Sequence, residues 1–157
     1  MGLIPRYYFE TTMFNFYFEE EREAHKATVS LFDAILEKKI IAFTSQYVVD
    51  ELIQTRGEKR TKMLSLIEKY GITVLPSNAS ALSLARLYVE QNVIPEKYIM
   101  DGMHIAIAAV NGLHAVISMN YQHIVKKKTK QVTGIINAVN GYHPIDIFTP
   151  MEVLDDD

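Results

Sequence analysis

The chain has 157 residues, 48% hydrophobic and 22% charged, which is the size and apolar content of one globular domain around a single core. It contains no cysteine, which excludes disulfides, thiolate metal sites and cysteine nucleophiles and suits a reducing compartment, so a cytoplasmic location is expected. A net charge of -3 argues against holding nucleic acid by a bulk positive field; no stretch approaches the ~20 apolar residues of a spanning helix, and no basic start with an apolar run opens the chain, so neither membrane insertion nor export is expected.

Arg6 to Phe9 is a short aromatic segment suited to a buried strand, and it ends at the polar Glu10-Thr11-Thr12. Glu19 to Lys39 reads as a helix, with carboxylates in its first turn, apolar residues at helical spacing and lysines in its last turn. Ile40 to Phe43 predicts a second buried strand, followed by Thr44-Ser45 and a helix carrying Val48, Val49, Leu52 and Ile53. Gly57 breaks that helix, and the next runs from about Glu58 to Tyr70 and stops at Gly71 before a third strand, Ile72 to Leu75. Ser77 or Asn78 caps a helix towards Asn92, and Pro95 starts another that runs through Asp101 to about Val110. This last helix is apolar nearly all round beyond Asp101, so it is expected between layers. Ala115 to Ser118 predicts a fourth strand, Asn120 begins a loop or short helix, Thr133 to Val139 allows a last helix, and Ile145 to Phe148 suits a final edge strand. The domain is expected over residues 1–150, with 151–157 an acidic, solvated tail.

Strands alternating with helices predict an α/β fold of three layers, helices on both faces of a mostly parallel sheet of four to five strands. Ligands in such sheets bind beyond the carboxyl ends of the strands. The residues standing there are Glu10-Thr11-Thr12, Thr44-Ser45, Ser77-Asn78 and Asn120. No phosphate-binding glycine loop, dinucleotide fingerprint, serine-hydrolase elbow or H-E-x-x-H zinc motif is present, so those chemistries lose their support. What remains is oxygen chemistry from Glu10, Glu51, Asp101 and Asn120, a donor set that suits a hard cation such as Mg²⁺ or Mn²⁺. Asp101 is the most informative, because a carboxylate opening an almost wholly apolar helix is costly to bury without compensation. Each residue also has a plain structural reading: Glu51 as a surface helix residue paired with a base, Glu10 as a helix cap, Asn120 as a turn residue.

Four ordered segments, E-T-T-M-F-N-F-Y-F after the first strand, T-S-x-x-V-V-D-E-L, D-x-x-H-I-A-x-A and V-I-S-M-N-Y-Q-H-I-V, together resemble the PIN domain family over roughly Tyr8 to Val125. The resemblance implies a metal-dependent ribonuclease, many members being toxins of VapC type whose acidic cluster holds Mg²⁺ or Mn²⁺. By position it gives Glu10, Glu51, Asp101 and Asn120 as the catalytic set, with the metal on Glu10, Asp101 and Asn120, and Glu51 placing or deprotonating water. The common pattern has Asp at the first and fourth positions; Glu10 here adds a methylene and Asn120 lacks the charge, which favours one well-bound metal. The same departures motivate the alternative of a catalytically weak or inactive RNA- or protein-binding module. The resemblance further implies an RNA substrate, a small antitoxin partner and a homodimer.

Thr11, Ser45 and Ser118 are expected beside these ligands, where hydroxyls can orient carboxylates or cap strand ends. His104 and His123 are expected as partly buried histidines bonded to backbone. Arg56, Lys59, Arg60, Lys126 and Lys127 flank the predicted site as weak candidates for phosphate contacts at its rim, with solvated surface the competing reading.

Overall fold

The computed structural model describes residues 2–155. Its sheet has five strands, β1 (Arg6–Phe9), β2 (Ile41–Ser45), β3 (Thr73–Leu75), β4 (Ala115–Ile117) and β5 (Asp146–Phe148), all parallel and ordered β3-β2-β1-β4-β5. The order reverses beside β1: the chain first walks outward to β3, then crosses back to place β4 on the other side of β1. In open parallel sheets such a reversal marks where ligands bind, beyond the carboxyl ends of the strands, here those of β1, β2 and β4.

Period-two alternation in β1 shows why three layers form. Phe9 packs edge-on to Phe32 of the helix α2 (His25–Leu36), with ring centroids 5.1 Å apart. Its neighbour Tyr8 points the opposite way, to His104 of α6 (Ile99–Val110). Around Phe32 gather Phe14, Tyr17 and Tyr70, at centroid distances of 5.7, 4.9 and 5.1 Å, in the edge-to-face arrangement that aromatic quadrupoles favour. These rings come from α1 (Thr11–Phe16) and its exit, and from the end of α4 (Glu58–Tyr70), so one cluster joins three helices under one face of the sheet. On the other face α6 lies against α5 (Ala79–Glu90), and every residue from Gly102 to Ala109 is buried, as the apolar run requires.

Local signals act as expected at several joints. Ser45 caps α3 (Gln46–Ile53), Asn78 caps α5 by accepting from the Ala81 amide, and Gly71 ends α4 in the left-handed conformation. Elsewhere the structure corrects the sequence reading. The helix expected over Glu19 to Lys39 begins only at His25; Glu19 to Ala24 form turns, because Tyr17 and Phe18 are drawn into the aromatic cluster and bend the chain first. The preceding helix α1 went unforeseen. A single 3-10 turn, Glu96–Tyr98, separates Pro95 from α6. The last long helix, α7 (Lys127–Val139), starts six residues before Thr133, with its lysines on an exposed first turn and buried Thr129 and Thr133 below. Within the stretch expected as an acidic tail, α8 (Pro150–Asp155) follows β5 and packs Val153 and Leu154 against the core, with Thr149 and Glu152 exchanging caps at 3.0 and 3.1 Å. Asp156 and Asp157 lie outside the described residues. No helix among the described residues is long and apolar enough to cross a membrane.

Candidate active site

Glu10 stands at the carboxyl end of β1 and is only 2% exposed. Two hydroxyls donate to the same oxygen, Oε1: Ser118 Oγ at 2.5 Å from just beyond β4, and Thr12 Oγ1 at 2.6 Å from the first turn of α1. Those hydroxyls are themselves held, since Ser118 Oγ accepts from the Asn120 amide at 2.9 Å and Thr12 Oγ1 from the Met119 amide at 2.8 Å. The adjacent strand ends are thereby latched around one carboxylate. Burial pushes the Glu10 carboxyl above its ordinary range, partly countered by the nearby His104 and by the two hydroxyls.

Glu51, on α3, reaches the fully buried His104 of α6 through Nε2. On the far side of the ring, His104 Nδ1 lies 2.7 Å from the Tyr8 hydroxyl, and that hydroxyl is 2.7 Å from Ser45 Oγ. An ionised carboxylate only accepts, so Nε2 donates to Glu51. Burial by itself lowers the pKa of such an imidazole, but Glu51, Glu10 and Asp101 outweigh it and raise His104 above its ordinary value. His104 is therefore the electrostatic centre on which all three expected carboxylates act. The sequence reading gave it a backbone partner; its partners are side chains on α3 and β1.

Asp101, in the first turn of α6, is hydrogen-bonded through Oδ2 to His123 Nδ1 at 2.8 Å. His123 too differs from expectation, being buried and bonded to a carboxylate, with its ring stacked on Tyr98 at 4.3 Å. Asn120 Oδ1 accepts from the His123 amide at 3.0 Å, closing the turn that delivers His123 to Asp101. Its carbonyl receives the amides of Ile124 and Val125, so Asn120 organises this loop in addition to whatever its amide oxygen offers a ligand.

The flanking hydroxyls sort themselves. Ser118 touches Glu10, whereas Ser45 serves Tyr8 and the cap of α3, accepting from the Val48 amide at 3.4 Å. Thr12 takes the place expected of Thr11, whose Oγ1 is buried with no hydrogen-bond partner among the described residues. Of the basic candidates, Lys59 is bound to Glu19 at 3.0 Å; Arg56, Arg60, Lys126 and Lys127 are exposed.

Among the described residues no three His, Asp or Glu side chains stand together at metal-ligating spacing. The donor chemistry nevertheless fits a hard cation. In each of the three carboxylates one oxygen is tied by a protein group, Glu10 Oε1, Glu51 Oε1 and Asp101 Oδ2, while the other has no protein hydrogen bond among the described residues. That is the pattern of ligands held in orientation by a surrounding layer of partners. The sequence could have disclosed His104 and His123 only through their one-turn and three-residue spacing from Asp101 and Asn120, a signal that does not specify a partner.

No family model matches the sequence, and no curated protein matches it. Solved structures do match its fold. VapC20 of Mycobacterium tuberculosis, a sarcin-ricin loop cleaving toxin, superposes with a TM-score of 0.54 at 12% identity, over 88% of this chain and 98% of that one. VapBC2 of Rickettsia felis, solved with a DNA fragment from its promoter, gives 0.56 at 12% identity, over 92% of this chain and 98% of that one. This chain thus shares the PIN-like fold of these two structures.

Proposed function

We propose that this PIN-fold chain is a metal-dependent ribonuclease that hydrolyses RNA phosphodiester bonds, acting as the toxin of a toxin-antitoxin pair in the cytoplasm. The observation that carries the reading is the half-tied state of Glu10, Glu51 and Asp101. Three carboxylates from β1, α3 and α6, each fixed through one oxygen and open at the other, would suit a hard cation. Glu10, Asp101 and the amide oxygen of Asn120 would hold Mg²⁺ or Mn²⁺, which supplies positive charge against the scissile phosphate and acidifies bound water. Glu51, oriented by His104, would place the attacking water and take its proton. Arg56, Arg60, Lys126 and Lys127 would supply phosphate contacts at the rim of the site. A small antitoxin and a second copy of the chain are the proposed partners, as the resemblance to the PIN family implies.

Incubating the protein with mixed RNA and Mg²⁺ or Mn²⁺ tests the reading, with Asp101→Asn as the control. Cleavage by wild type that the control lacks is expected; equal, background cleavage by both would reject it. One observation favours a second reading, a catalytically weak RNA- or protein-binding module: Asn120 has no charge and spends its amide oxygen on the turn. Intact RNA binding without Mn²⁺ binding at millimolar concentration would select that module instead.

A further inference from the structure

We propose that the cleft beside Asp101, between the end of α5 and the Gln122–Lys128 segment, binds one or two unpaired nucleotides of an RNA strand next to the scissile phosphate. This rests on the ribonuclease reading above and specifies the form of its substrate. The cleft encloses about 860 Å³, within the range of small-ligand sites, and His123 forms part of its wall. Through Nδ1 the same imidazole bonds Asp101, so the wall of the cleft is joined to a proposed metal ligand.

Both signs of charge line it. Lys126 is exposed and without an ion-pair partner among the described residues, and Lys128 reaches across to donate to the Asn92 carbonyl at 3.0 Å. Glu96 is paired with Arg86 at 3.1 Å, while Glu90 has no such partner among the described residues. A phosphodiester chain is thereby drawn to the two lysines and repelled from Glu90. Val93, Ile94 and Pro95 give an apolar surface for a base, with the side chain of Gln122 available to its edge. Two paired strands exceed such a volume, and bases can enter only when splayed from a single strand or loop.

The test is binding of a labelled mixed-sequence RNA, single-stranded or annealed to its complement, in EDTA so that cleavage is silent, across a salt series. For the single strand, Lys126→Gln/Lys128→Gln should flatten the plot of log affinity against log salt by about 1.4, at ~0.7 per lost phosphate contact, and the matching double Arg variant should restore it. Glu90→Gln should tighten binding of the single strand, a gain that a folding defect cannot imitate. Duplex binding should change little in either variant. An unaltered single-strand slope in the double Gln variant, or equal changes for strand and duplex, would overturn the cleft assignment while leaving the ribonuclease reading in place. Failure of wild type both to bind and to cleave RNA would reject both.

Discussion

Glu10 carries a cost in the free protein that its neighbours only partly relieve. It is an acceptor with two hydroxyl donors and no basic side chain in ion-pair contact among the described residues. Desolvation is the leading cause of its raised pKa, so ionised Glu10 destabilises the fold. With the folded pKa above the unfolded one, the native state binds more protons between the two values; stability rises as pH falls through the folded pKa towards the ordinary 4.5. Glu10→Gln keeps an oxygen for Ser118 and Thr12 and removes the charge. In metal-free buffer the variant is expected to melt above wild type at neutral pH, with the gap closing as pH is lowered. Equal melting points at neutral pH would show that some group already compensates the carboxylate. Other residues at this scale were partly legible: a carboxylate after a strand announced Glu10, yet nothing local distinguished Thr11 from Thr12, because which hydroxyl faces inward depends on where α1 starts.

At the scale of elements, the site depends on how closely α5 and α6 approach. Gly102 follows Asp101, and a Cβ placed on it would come within 3.2 Å of Ile94 Cδ1, 3.3 Å of Tyr88 Cδ2 and 3.7 Å of Ala85 Cβ. Ile94 can yield a few tenths of an ångström, but Tyr88 is fully buried and bonded through its hydroxyl to Asn137 of α7, so its ring has little freedom. A branched side chain at 102 must push the helices apart. Gly102→Val should cost about 1–3 kcal/mol by overpacking, read as a lowered denaturant midpoint at constant slope. A midpoint within error of wild type would mean that the α5–α6 seam is softer than its geometry indicates. The pairing of α6 with the sheet was legible from its unbroken apolar run, and the caps at Ser45, Asn78 and Gly71 were legible from residue type. The start of α2 was not. Carboxylates at Glu19 to Glu23 imitate a helix N-terminus, and only the long-range capture of Tyr17 by Phe32 and Tyr70, with Phe18 packed on Tyr17, decides that those residues turn instead.

Across the whole molecule, the proposed ligands come from separated parts of the chain: Glu10 from the end of β1, Glu51 from α3, Asp101 from α6 and Asn120 from the loop after β4. Order along the chain suggested the set, because each residue follows or lies within an element with its own signal. The histidines that hold two of them were not revealed, since the Glu51–His104 and Asp101–His123 contacts span 53 and 22 residues and exist only once the sheet has formed. The same dispersion has a thermodynamic consequence. Unfolding scatters the donors, so a cation that binds the assembled site and not the unfolded chain stabilises the entire fold by mass action. At 100 times its dissociation constant, Mn²⁺ should add about 2.7 kcal/mol, which for a domain of this size raises the melting temperature by roughly 5–10 °C. Asp101→Asn should lose most of that increment. Asn120→Asp should enlarge it at a fixed subsaturating Mn²⁺ concentration, because the carboxylate can still accept from the His123 amide while adding a charge to the donor set. Melting curves of the three proteins with and without Mn²⁺, at one ionic strength, separate the possibilities. No increment in wild type would remove the metal from the site, whereas an increment that Asn120→Asp leaves unchanged would confine Asn120 to the turn and leave Glu10 and Asp101 to hold the ion.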